Sequence, residues 1–149
     1  MKLVNNLNIR VFCKQEENRE KIKEGIEKIL GFDKDELKSE KIEIKKTQAK
    51  GFEDEIRIYE VFLENKRHLN KVLKKLNEEL TTQDKKRIQT QENRLDNNLD
   101  FYIRLSKPLI LENTFELTDS GDCYHIKINI ASFPKNKETA KKKIQEIFS

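Results

Sequence analysis

The sequence predicts an α+β domain: a two-layer sandwich whose largely antiparallel sheet carries helices on one face and leaves the other open to water. Three observations lead there. Strand-like stretches occur in adjacent pairs, three other stretches repeat apolar residues every three or four positions, and turn residues separate them in the order β-α-β-β-α-(α)-β-β-α. No internal repeat or domain boundary interrupts this order, so residues 1–149 are expected to form one domain.

The first strand alternates Leu7, Ile9, Val11 and Cys13 with Asn8, Arg10, Phe12 and Lys14, the period of two that a half-buried strand needs. Ile22, Ile26, Ile29 and Leu30 then fall on one helical stripe, and Gly31 can close that helix, which is predicted over 17–30. Phe32 to Leu37 reads as a short helical turn. Strand two is predicted at Ile42–Lys45 and strand three at Glu55–Leu63, with Gly51 permitting a hairpin between them. Leu69, Val72, Leu73, Leu76 and Leu80 mark a helix from Lys66, and a threonine cap at 81 or 82 starts a more polar one running to about Arg94. In strand four Phe101, Ile103 and Leu105 oppose Tyr102 and Arg104. In strand five Tyr124, Ile126, Ile128 and Ile130 alternate with His125, Lys127 and Asn129. Pro134 ends that run, Asn136 can cap a last helix, and Ala140, Ile144, Ile147 and Phe148 give it a buried stripe.

Composition narrows the function. With 39% charged and 35% hydrophobic residues and only four Gly and two Pro, the chain is compact rather than disordered. Thirty-one Lys and Arg against 27 Asp and Glu leave a net charge of +4, which permits a polyanionic partner without demanding one. The abundance of Lys and Glu equally suits a surface of ion pairs adapted to heat. No segment approaches the ~18 apolar residues of a membrane span, and the N-terminus lacks a signal-type apolar run. A cytoplasmic protein with two reduced thiols is therefore expected.

Catalysis finds little support. Cys13 and Cys123 lie far apart and outside any C-x-x-C pair, so no zinc or other metal is expected. Gly25, Gly31, Gly51 and Gly121 stand singly, without the clustered glycines that cradle phosphates, so no nucleotide cofactor is expected either. The histidines are His68, read as a surface residue, and His125, and no nucleophile elbow accompanies them. Acidic groups at Asp33/Asp35/Glu36, Glu53/Asp54/Glu55 and Asp119/Asp122 read as solvated turns.

The polar faces of the strands are more informative. Arg10, Lys14, Arg57, Arg104 and Lys127 are placed there with Phe12, Tyr59, Tyr102 and His125 between them, and cations interleaved with rings can hold phosphates while stacking bases. The bland reading is a solvated face of cross-strand ion pairs. Two further basic groups, Arg67/Lys71/Lys74/Lys75 and Lys135/Lys137/Lys141/Lys142/Lys143, have the spacing of ordinary solvated helix faces.

Four stretches carry a resemblance: Asn8–Cys13, Ala49–Phe52, Asn93–Lys107, and Glu116–Thr118 running on to Phe133–Pro134. Together they resemble the small archaeal proteins described as RNA-binding and as predicted exosome subunits. That resemblance implies a fold similar to the ribosomal protein that binds 5S ribosomal RNA, no catalysis, and RNA with exosome or ribosome-associated proteins as partners. Under it, Lys107 and Arg104 match two basic positions at the end of the fourth strand. The chain departs from the pattern after Lys107, at Pro108–Asn113, and the acids Glu53–Glu55 follow the Gly51 stretch. The expected function is non-enzymatic RNA binding through Arg10, Arg57, Tyr59, Tyr102, Arg104, Lys107, His125 and Lys127. The alternative is a protein-interaction adaptor or homodimer that uses the open face or an edge strand.

Overall fold

A computed structural model describes residues 2–49, 56–119 and 121–149. Five strands, β1 (Val4–Cys13), β2 (Lys45–Ala49), β3 (Ile56–Leu63), β4 (Asp100–Ser106) and β5 (Cys123–Ile130), form one sheet in the order β2-β3-β1-β5-β4. Every neighbouring pair is antiparallel. The helices are α1 (Arg19–Leu30), α2 (Lys34–Ser39), α3 (Lys66–Glu79), α4 (Thr82–Thr90), α5 (Lys107–Leu111) and α6 (Lys137–Ile147), and a 3-10 turn spans Glu92–Arg94. The two-layer α+β architecture expected from the patterning is the one formed.

One parity of β1, β4 and β5 is sealed. Leu7, Ile9 and Val11 of β1, Ile103 and Leu105 of β4, and Ile126 and Ile128 of β5 are almost wholly buried beneath the apolar stripes of the helices. The stripe of α1 is Ile22, Ile26 and Ile29, and that of α3 is Leu69, Val72 and Leu76. Phe148, following α6, packs against Phe101 of β4. α1 approaches the sheet closely because Gly25 has no side chain. A Cβ there would lie 2.5 Å from Cζ of Tyr124, whose buried hydroxyl donates to the Ile22 carbonyl at 2.8 Å.

Local chemistry sets the helix ends. Asn18 accepts from the amides of Glu20 and Lys21, and Gly31 turns the chain at φ 76°, a left-handed conformation suited to glycine. Asp33 and Glu36 form a reciprocal capping box on α2, so these two acids serve a helix end rather than a solvated turn. Thr81 and Asn136 cap α4 and α6 as expected.

Three expectations are corrected. Strand two begins at Lys45 rather than Ile42, because Ile42 and Ile44 pack against the core edge while cross-strand pairing to β3 starts at Lys45 opposite Glu60. His68 is buried, not superficial: Phe32 meets its ring edge-on at 5.7 Å and Glu40 lies 3.4 Å from Nε2. The segment after β4 forms the short helix α5, which ordinary turn residues did not announce, with Ser106 capping it and Pro108 in its first turn. The hairpin at Gly51 and the acids Glu53–Glu55 lie outside the described residues.

Candidate nucleic-acid interface

The strand face turned away from the helices is organised in cross-strand rows fixed by the register. One row runs Lys45, Glu60, Arg10, His125 and Arg104 across all five strands. The next runs Phe62, Asn8, Lys127 and Tyr102. Phe12 stands beyond Arg10 on the same side of β1. Asn8, Arg10, Phe12, Tyr102, Arg104, His125 and Lys127 thus border one shallow depression of about 440 Å³. Cations there alternate with rings, which is what a strand carrying both phosphates and unstacked bases requires.

The rings are accessible: Phe12 and Tyr102 are each 40% exposed and Phe62 is 55% exposed. Phe12 meets His125 edge-on at 6.1 Å, with the planes at 87°. Tyr102 donates its hydroxyl hydrogen bond to Asp96 at 3.0 Å, which fixes the tilt of its ring and pushes the phenol pKa up. Burial opposes ionisation of Asp96, but the amides of Asp100 and Asn98 and the Tyr102 hydroxyl together hold its carboxyl below the usual range. Burial, then repulsion from Arg104 and Arg10, holds the His125 imidazole below the ordinary histidine value.

The cations are only partly answered by acids. Arg10 pairs with Glu60 at 3.3 Å, and Asn8 also reaches that carboxylate. Arg104 donates to the backbone carbonyl of Asp119 at 3.2 Å, which leaves its positive charge uncancelled by that contact. The α3 ridge differs, since Arg67, Lys71, Lys74 and Lys75 each lie against a glutamate, Glu40, Glu36, Glu78 and Glu79. That ridge is a solvated face of ion pairs.

Three of the expected contact residues lie elsewhere. Tyr59 pairs across from Val11 and is 1% exposed, and Arg57 pairs across from Cys13, so both belong to the helix-covered face. They share parity with Val61 and Leu63, which are buried on that same face. Lys107 is 3% exposed, and its ammonium donates to the Phe12 carbonyl at 2.8 Å and to Glu17 at 3.1 Å. It ties β1 to the start of α5 and presents no charge to solvent. Lys14, expected on the polar face, is held by Asp122 at 3.1 Å.

Sequence reasoning missed Arg87 and Arg94, which join Arg104 around Asp119 at the outer edge of β4. No local pattern announces them, because they arrive from α4 and the 3-10 turn. A larger cleft of about 990 Å³ lies at the far end of the sheet, bordered by Asn5, Asn129, Lys135, Lys142, Lys143 and the 95% exposed Phe133. Lys135, Lys142 and Lys143 belong to the basic group expected on a helix face, Lys2 joins them, and of the strands β1 and β5 reach the cleft.

A family model described as RNA binding matches residues 6–131. The RNA-binding protein PAB1135 of Pyrococcus abyssi (strain GE5 / Orsay) is 26% identical over 143 residues, which cover 95% of this chain and 91% of that protein. Among solved structures, protein AF2318 from Archaeglobus fulgidus superposes with a TM-score of 0.82 at 25% identity, over 97% of this chain and 99% of that one. Mth689, a DUF54 protein from Methanothermobacter thermautotrophicus, superposes with a TM-score of 0.80 at 23% identity, over 99% and 100%. The matched span reaches from within β1 to just past β5 and so takes in the whole open face; the chain belongs to this RNA-binding family.

Proposed function

We propose that the open sheet face binds single-stranded RNA, with Arg10, Arg104 and Lys127 contacting phosphates and Phe12, Tyr102 and His125 receiving bases. One observation carries the reading: six side chains from three adjacent strands, rings and cations in alternation, border one accessible depression. An A-form duplex presents a rigid, stacked surface, whereas unstacked bases can lie flat on exposed rings, which favours a single strand. The protein acts without catalysis, as an accessory to RNA-processing machinery such as the exosome. The resemblance of its strand segments to proteins so described supports that role.

Filter binding of an unstructured RNA at two salt concentrations tests the site. Arg104→Ala should weaken binding of every sequence and lower the salt slope by roughly 0.7 for each lost phosphate contact. Tyr102→Ala should cost about 1–3 kcal/mol with little change of slope. Lys71→Ala and Lys74→Ala should leave binding nearly unchanged. Wild type that binds no better than an acidic protein of similar size would leave the adaptor or homodimer reading in its place.

A further inference from the structure

Three arginines gather at the border of the open face. Arg87 Nη2 lies 3.3 Å from both carboxylate oxygens of Asp119, Arg94 Nη2 lies 3.8 Å from Oδ1, and Arg104 donates to the backbone carbonyl of the same residue. Like charges brought this close repel, so the cluster needs anions to stand. The structure provides two. Asp84 is buried, lies 3.5 Å from Arg87, and accepts the Leu117 amide through its other oxygen. Asp119 sits on a loop with its side chain 75% exposed, and that loop is anchored by the Thr118 amide donating to the Arg104 carbonyl. Among the described residues, three guanidiniums against two carboxylates leave an excess of one positive charge. Burial first, then repulsion from Arg87, holds the Arg94 guanidinium below its usual pKa.

The cluster is continuous with the sheet face. Arg94 Nη1 donates to the Tyr102 carbonyl at 3.3 Å, and Arg94, Tyr102, Arg104 and Asp119 line a concavity of about 310 Å³. Tyr102 and Arg104 project from β4 two residues apart, roughly 6–7 Å, so a base stacked on Tyr102 leaves its phosphate within reach of the arginines. Guanidinium forks match a phosphate in shape and charge. We propose that Arg87, Arg94 and Arg104 form a phosphate-binding site for the RNA strand on the open face, and that the Asp119 carboxylate fills the phosphate's place in the free protein. This assignment rests on the RNA-binding reading of that face.

The test is a fluorescence titration of a labelled, unstructured RNA of about ten nucleotides, within the span such surfaces engage. Asp119→Asn removes the competing charge from an exposed position and should tighten binding about three- to fivefold at low salt. Arg87→Ala should weaken binding and lower the salt slope by roughly 0.7. Arg94→Lys keeps the charge but loses the fork, and should weaken binding while thermal unfolding shows the fold intact. If wild type binds RNA but none of these variants changes its affinity, the cluster is purely structural and the assignment falls while the sheet-face reading stands. If wild type does not bind RNA, both fall. Inorganic phosphate at matched ionic strength identifies the source: phosphate binding that Arg87→Ala abolishes, together with an RNA affinity that neither phosphate nor any of these variants changes, would mark a site for free phosphate and overturn the RNA assignment.

Discussion

Lys107 follows directly on the fourth strand, where sequence alone makes a terminal lysine look like a surface cation. Its four-carbon stem instead crosses the core edge to the Phe12 carbonyl and Glu17, a contact between residues 90 or more positions apart that no local pattern could announce. Lys107→Ala should therefore cost about 2–3 kcal/mol in urea unfolding, because it strands a carbonyl and a carboxylate, with little effect on RNA affinity below the melting range. A loss of RNA binding in a variant of unchanged stability would contradict the structural role. His125 supplies a pH signature. Its pKa in the folded protein lies below the ordinary 6.5, so the unfolded chain takes up the proton first as pH falls. Its contribution to stability is complete above that ordinary value and is lost as pH drops through the depressed one. His125→Gln should flatten the pH dependence of thermal stability below about 6.5, and an unchanged profile would place the titration elsewhere.

At the level of elements, strands β1, β4 and β5 were legible because each, in β1 from Leu7 on, carries its aliphatic residues on one parity. β3 was placed at Glu55–Leu63 and forms at Ile56–Leu63, but its faces were not legible, since Ile56, Ile58 and Phe62 occupy one parity and Tyr59, Val61 and Leu63 the other. Only its pairing with β1 decides the matter, by setting Tyr59 opposite Val11 and turning Arg57 and Tyr59 away from the open face. Periodicity located α1 within two residues but could not tell that Gly25 marks its closest approach to the sheet. Alanine is favoured over glycine in a helix by about 1 kcal/mol. At position 25 the clash with Tyr124 should outweigh that gain, so that Gly25→Ala destabilises by about 1–3 kcal/mol. A rise in melting temperature for this variant would show that the helix can move off the sheet freely.

Across the whole molecule, the layered fold assigns the two sheet faces different tasks, one sealed by helices and one left accessible with rings and cations from three central and edge strands. Of the cations and rings that sequence placed on a polar face, Arg10, Phe12, Tyr102, Arg104, His125 and Lys127 do meet there. Arg87 and Arg94 were invisible because their common partner, Asp119, is brought to them only by the completed chain. The most direct measurement is a nuclear magnetic resonance titration of the isotopically labelled protein with an unstructured single-stranded RNA. Shift changes should concentrate at residues 8–12, 102–104 and 125–127, with the side-chain resonances of Tyr102 and His125 among the most affected and α3 silent. Changes confined to the α3 ridge or to the cleft around Phe133, or none under conditions where binding is independently detected, would contradict the placement of RNA on the open face.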